Sequence, residues 1–253
     1  SRGNRQYISL GNIAGDGRVA LFLMDYARRA RLKLLGRMRA VPFEGALAGD
    51  IPRVPYGGGV LALDGALRMR VFDGEIEVAG LALERPFGVA PTLAADIELR
   101  GLDLQPLTAA FGFGEITGRL GGYIRGLRLL DWSPIAFDAR FVTDENAKGA
   151  RRISQRAVRD LSSVGGMGPA AALQQGVLRA FETFPYARIG IACRLQNNVC
   201  EMDGLARSAR GYTLVEGSGL PRISVNGMQR EVDWPVLVER LRAVSAGQTP
   251  TFD

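Results

Sequence analysis

A mainly β, α+β fold is predicted by three features of the sequence. It is an antiparallel meander with a helical insert near 151–184 and a C-terminal helix near 234–245. First, apolar residues alternate with polar ones in short runs: Leu61 and Leu63, then Leu67, Met69 and Val71, then Ile76 and Val78, then Leu81 and Leu83. Such period-two runs read as strands with one face turned inward. Second, Gly and Asp-Gly break the runs at spacings of roughly ten residues, as hairpins require. Of Asp64-Gly65 and Asp73-Gly74, the second is the better hairpin signal. Third, after residue 151 the period changes to that of a helix.

Residues 1–41 have their own texture. "RVALFLMDY" is short, apolar and bounded by "GDG", which suits a buried strand. "RLKLLGRMRAV" alternates Leu32, Leu34 and Met38 with Arg31, Lys33 and Arg39, which suits a second strand, with "YARRA" as the connection. From Pro42 to about Val142 the meander runs through "TLAADIELRGLDL", "GEITGRLGGYIRGLRLL" and "PIAFDARFV". Two helical stripes follow: Ile153, Ala157, Val158 and Leu161, then Leu173, Val177, Phe181 and Phe184, with Pro169 near the second start. Strands return at "ARIGIACRL", "NVCEMDGLA", "YTLVEGSG" and "RISVNG". Asp233 suits the cap of a last helix with Pro235 in its first turn and Val236, Leu237, Leu241 and Val244 as its stripe. Two domains are expected, 1–41 and 42–253.

Composition narrows the chemistry. With 253 residues and 47% hydrophobic content the chain can bury a core. No apolar run approaches the ~18 residues of a membrane-spanning helix. The net charge is +6, and all but Lys33 and Lys148 of the 32 basic residues are arginine. Acids are interspersed among them, so nucleic acid is not an expected partner. The densest basic run, Arg28, Arg29, Arg31, Lys33, Arg37 and Arg39, has no acid within it. Histidine is absent, which excludes Ser-His-Asp and Cys-His catalysis and histidine-containing zinc sites. The two cysteines cannot complete a metal site, so no metal is expected.

Other motifs are weak. "YGGGV" and "VGGMGPAAALQQG" lack the P-loop lysine and the GxGxxG spacing, and an inter-helix turn suits the second better than a phosphate site. Asp138, Asp144, Glu145, Asp160, Glu201 and Asp203 form no readable acid/base pair. Cys193 and Cys200 flank "RLQNNV"; a hairpin there brings them within disulfide range, and two buried thiols are the alternative. No catalytic residue is assigned.

Two resemblances add to this. "RQYISLGNIAGDGRVALFLMDYARRARLKLLGRMR", residues 5–39, resembles the pyridoxamine 5′-phosphate oxidase-like flavoproteins, FMN-binding split β-barrels. It implies FMN contacts for Asn4, Arg5, Gln6 and Ser9 near the phosphate. It places Arg31 and Lys33 on the next strand beside the flavin, which would account for the basic run. About forty residues carry it. From about 43 to 248 the chain resembles the C-terminal region of AsmA-like envelope proteins, in the YdbH-type branch with a "dicarboxylate transport" domain. The phrases that carry it include "FDGEIEVAGLALERPFG", "IGIACRLQNNVCEMDG" and "GLPRISVNGMQREVDWPVLVERL". This resemblance implies an open β-groove that conducts phospholipid between two membranes. It also implies an inner-membrane anchor upstream and a small outer-membrane lipoprotein as partner.

A one-faced meander needs a helix, a second sheet or a lipid against its apolar side. The resemblance selects lipid, with Leu61, Leu63, Ile76, Val78, Ile97, Leu99, Phe137, Ile189 and Ile191 as groove lining. The expected function is therefore non-enzymatic lipid passage in the cell envelope and periplasm, without a cofactor, or docking of the groove's end to the lipoprotein. Without an upstream anchor the chain would stay cytoplasmic. The alternatives are an FMN-binding oxidase-like fragment and an inactive fusion joined near "RMRAVPFEG".

Overall fold

The protein is described from a computed structural model. The structure describes residues 18–25, 30–37, 56–57, 59–86, 88–166, 181–209 and 211–245, with the backbone alone given before residue 59. In chain order the elements are β1 (Arg18–Asp25), β2 (Ala30–Arg37), β3 (Tyr56–Gly57), β4 (Val60–Ala62), β5 (Ala66–Val71), β6 (Gly74–Glu84) and β7 (Thr92–Asp103). Then come α1 (Leu104–Ala110), β8 (Arg119–Leu130), β9 (Ser133–Thr143), β10 (Arg152–Ser154), α2 (Gln155–Val164) and β11 (Thr183–Gln196). The chain continues through β12 (Val199–Gly204), β13 (Ala206–Ser208), β14 (Gly211–Gly217), β15 (Ser224–Gly227), β16 (Glu231–Asp233) and α3 (Trp234–Ser245).

The fold is thus mostly antiparallel sheet with three helices among the described residues, and the sheet is open rather than closed into a barrel. β1 and β2 pair as a separate two-stranded sheet, with Phe22 opposite Lys33 and Met24 opposite Arg31. The large sheet follows the order β13-β14-β11-β9-β8-β7-β6-β4-β3. β5 pairs with the first half of β6, and β12 pairs with the second half of β11.

Three of its hairpins turn on two consecutive left-handed residues: Phe72-Asp73, Asp131-Trp132 and Asn197-Asn198. This is the primed-turn geometry whose twist matches the flanking strands. Asp73-Gly74 does mark a hairpin, but the register differs from an Asp-Gly centre. Gly74 pairs with Val71 as the first residue of β6. A Cβ on Gly74 would lie 2.7 Å from the Arg100 carbonyl oxygen and the Leu102 Cα. The glycine therefore serves a close backbone approach, and Phe72 and Asp73 take the turn.

Two sequence expectations change. α1 was not foreseen: Asp103 ends β7 and its side chain accepts from the Gln105 N–H at 3.0 Å, starting a short helix where strand was expected. The helical insert is also shorter at its far end. α2 closes at Val164, and residues 183 and 184 belong to β11. Phe184 pairs with Ile153 across β10 and β11, so Phe184 and Tyr186 are buried on alternate positions of a strand. Ile153 sits on β10, just before Ser154, whose hydroxyl caps α2 by accepting from the Ala157 N–H at 3.2 Å. Leu173 and Val177 of the second stripe lie outside the described residues.

The packed core lies at the C-terminal end of the sheet. α1, α2 and α3 bring Leu104, Val158, Leu161 and Leu237 onto Tyr186, Leu214, Val225 and Val232. Tyr186 donates its hydroxyl to the Thr117 carbonyl at 2.5 Å. Burial pushes the Tyr186 phenol up to about 12, against a small opposing effect of Arg151. Burial also pushes Tyr212 to about 12, with the Asp203 carboxylate adding to the rise and Arg240 opposing it. Both folded values exceed the ordinary 10.0, so the fold favours the neutral phenol. This contribution is fully present below pH 10 and is lost as pH rises through about 12. A spectrophotometric titration is expected to show these two of the six tyrosines ionising late, together with loss of the far-ultraviolet β signal. Ionisation of all of them near pH 10 with the fold intact would contradict this burial.

Candidate functional site

The two faces of the large sheet differ in chemistry. On one face the arginines and carboxylates of neighbouring strands form a ladder. Arg68 bonds Glu77 at 3.0 Å, and Arg100 meets Glu75, Glu77 and Glu98 at 3.2, 3.3 and 2.6 Å. Arg68 and Arg100 hold the Glu77 carboxyl below its usual range despite some desolvation. Farther along, Arg194 faces Asp138 at 3.6 Å, and the Arg125 guanidinium stacks 4.2 Å over the Tyr123 ring. Burial raises Asp203, but Arg207 at 2.7 Å and the Gly204 N–H hold its carboxyl below the usual range. Exposed pairs of this kind contribute little stability; their effect is to keep this face wet.

The other face is apolar, and the register makes it continuous. Leu67 lies opposite Val78, Val78 opposite Ile97, Ile97 opposite Ile124, Ile124 opposite Ala139, Ala139 opposite Cys193, and Cys193 opposite Met202. A parallel row runs Met69, Ile76, Leu99, Gly122, Phe141, Ile191. A third links Leu61, Leu83, Leu93, Leu129 and Pro134. Across β5 to β8 the side chains of these rows remain only half-buried.

At the C-terminal end the rows run into a cavity of about 510 Å³. Its floor is Ile124, Leu127, Phe137, Ala139, Phe141, Ile189, Ile191 and Cys193. Its walls come from the helices: Leu104 and Thr108 of α1, Leu161 and Val164 of α2, and Trp234, Leu237 and Leu241 of α3. Thr108 carries the one side-chain hydroxyl of the lining, and that hydroxyl donates to the Leu104 carbonyl at 2.8 Å. Trp234 meets Phe137 edge-on, with ring centroids 5.4 Å apart. The volume falls in the ~300–1,000 Å³ range of small-molecule sites, but the polar groups that usually orient such a ligand are missing from the lining.

The expected lining residues are thus divided. Phe137, Ile189 and Ile191 line the cavity; Val78 and Ile97, and Ile76 and Leu99, lie on the two rows that lead to it. Leu61 is on the third row, and Leu63 lies just past β4 with its N–H on the Leu81 carbonyl. The helix residues of the cavity were not anticipated. The apolar stripes of α2 and α3 were legible, but a stripe alone does not separate core from cavity wall. The α3 stripe divides likewise: Leu237 and Val244 are buried, whereas Val236 and Leu241 stay exposed, Leu241 at the cavity rim.

Of the residues expected to hold FMN, Asn4, Arg5, Gln6 and Ser9 lie outside the described residues. Arg31 and Lys33 are on β2. The scattered carboxylates meet basic side chains or turns: Asp160 is 3.7 Å from Arg156, Glu145 is 3.1 Å from Arg188, and Glu201 is 3.6 Å from Arg207. Asp144 accepts from the Asn146 N–H. Among the described residues no group of three or more His, Cys, Asp or Glu is placed to hold a metal ion.

The structure bonds Cys193 to Cys200 across the β11–β12 hairpin. They are diagonal rather than directly opposite, since Cys193 faces Met202 and Cys200 faces Leu195, and their Cα atoms are 5.6 Å apart. The bridge ties the cavity floor to β12. A denatured mass is expected two hydrogens below the fully reduced value. Reduction is expected to lower stability by about 2 kcal/mol, the lower end for a bridge closing so short a loop. An unchanged melting temperature after complete reduction would contradict a structural role.

No family model, no curated protein and no solved structure matches this chain. Among the described residues, no helix is long and apolar enough to cross a membrane.

Proposed function

We propose that the chain is a non-enzymatic acyl-chain carrier, the end of a β-groove along which phospholipid passes in a cell envelope. The observation that carries this reading is the unbroken apolar row from Leu67 to Met202, which ends in an apolar cavity while the opposite face stays charged. A hydrocarbon chain gains ~0.8 kcal/mol for each CH₂ it buries, needs no hydrogen-bond partner and tolerates a long, unspecific track. A headgroup would remain in water beyond the half-buried rows. The AsmA-like resemblance of residues 43–248 supports the same reading and suggests an envelope location, with a small outer-membrane lipoprotein as a further partner.

Trp234 is the reporter. In a chain carrying W132F it is the only tryptophan, and it lines the cavity. Brominated fatty acid is expected to quench its emission saturably, with non-brominated fatty acid competing. Quenching no greater than that of free tryptophan at the same concentration would refute acyl binding in the cavity.

A further inference from the structure

The β8–β9 hairpin has two roles in this geometry. Leu127, Pro134 and Phe137 on its strands line the cavity. Its tip, just beyond the Leu129–Pro134 pair, carries exposed Leu130, paired with Ser133, and exposed Trp132 in the turn. Ile135, the residue skipped between the Arg128–Ala136 and Leu129–Pro134 pairs, is exposed beside them. The tip is tied to the neighbouring β6–β7 connection, where the Asp131 N–H donates to the Pro91 carbonyl at 2.9 Å. That connection carries Val89, which is 90% exposed. Four apolar side chains therefore gather along one end of the sheet. By contrast Leu220, equally exposed on the β14–β15 connection, stands at a separate site, and a single exposed apolar residue calls for no partner.

The backbone adds a second observation. Trp132 has φ of 64°, a left-handed position that asparagine or glycine fills with less strain than a bulky side chain. Turn formation therefore does not account for a tryptophan there. Tryptophan has an apolar body and a polar N–H, the combination enriched where bilayer meets water. Arg85 is exposed on the β6–β7 connection and Arg128 on β8 two residues before its end, both suited to phosphate contact, while Asp131 at the tip limits the depth of insertion.

We propose that this edge docks on a lipid bilayer, with Val89, Leu130 and Trp132 entering the boundary between headgroups and acyl chains. The proposal rests on the acyl-carrier reading and specifies where the groove meets its lipid source or sink. Size favours a bilayer over a second copy of the chain. Four exposed apolar side chains gather here, whereas a stable protein interface takes about 800 Å², roughly 20–30 residues, on each partner. Docking at this edge would set the tip of the β8–β9 hairpin against the membrane, with the cavity-lining Leu127, Pro134 and Phe137 behind it.

The test is flotation with extruded phosphatidylethanolamine/phosphatidylglycerol vesicles, comparing the unaltered chain with a V89N/W132N double variant. Asparagine suits the left-handed turn, so the variant is expected to fold as well as the parent. The unaltered chain is expected to float, the variant to partition at least about tenfold more weakly, and Trp234 quenching by brominated fatty acid to be the same as in W132F. Equal flotation of both chains would overturn the edge proposal. So would no flotation of the unaltered chain alongside intact Trp234 quenching, which leaves the acyl reading standing. A dimer of the unaltered chain that the variant loses, without vesicle binding, would overturn it in favour of self-association. Flotation that depends on Val89 and Trp132 but without Trp234 quenching would uphold the membrane edge and refute the cavity reading.

Discussion

Replacing Ile124 by aspartate is expected to abolish acyl binding, lowering fatty-acid affinity by about a hundredfold or more. Ile124 stands at the middle of the apolar row, between Ile97 and Ala139, and lines the cavity floor. An acyl chain laid over it would strip water from an ionised carboxylate with no partner, a cost of several kcal/mol. Tyr123→Asp is the matched control. Its side chain points to the charged face, beside Arg125 and opposite Glu98 and Arg140, so binding should be unchanged. Val78→Asp and Ile97→Asp then test length. Both lie on the same row outside the cavity. If the whole face carries lipid, each reduces transfer along the groove while Trp234 quenching by a short fatty acid persists. Retained lipid transport in these variants would reject a groove that extends beyond the cavity.

The largest expected effect on stability is at Phe184. Phe184→Ala should cost about 3–5 kcal/mol in urea unfolding, because the ring is fully buried against Ile153 and the α2 residues of the core. Phe181→Ala should cost well under half of that, since Phe181 is 40% exposed. The contrast separates two architectures. On one continuous helix both rings belong to a single apolar stripe and both truncations would be costly. In the observed strand, burial follows alternate positions, Phe184 and Tyr186, and Phe181 lies before the strand begins.

Period-two alternation made the meander readable because one face of each strand is wet. The charged ladder of Arg68, Glu77, Glu98 and Arg100 alternates residue by residue with Leu67, Ile76, Val78, Ile97 and Leu99. Where that contrast fails, sequence reasoning fails with it. β11 begins "TFPYARIGI", whose aromatic and aliphatic spacing also fits a helical stripe; the pairing with β10 and β14 decides for strand. α1 is only seven residues long and holds Pro106, too short to show a period; its one local signal was Asp103 as a cap. At Gly74 the sequence shows an Asp-Gly turn, while its place in the strand depends on the backbone of β7 packed against it.

The site was legible in part for a related reason. Alternation identified the inward face, and Phe137, Ile189 and Ile191, expected as groove lining, lie on the cavity floor. The cavity, however, exists because three helices approach this face without filling it, and helix placement is a tertiary property. Trp234, Leu237 and Leu161 show as apolar helix positions whether they close a core or wall a cavity. The diagonal geometry of Cys193 and Cys200 is set by the two-residue Asn197-Asn198 turn, which fixes the hairpin register.

The most direct test of the acyl-carrier account is a native mass spectrum of the purified chain, followed by a denaturing one. The account predicts phospholipid or fatty-acid adducts that survive purification, leave on denaturation and are absent from Ile124→Asp. Bare protein in the native spectrum that also takes up no lipid when incubated with vesicles, or a bound FMN in place of lipid, would contradict it.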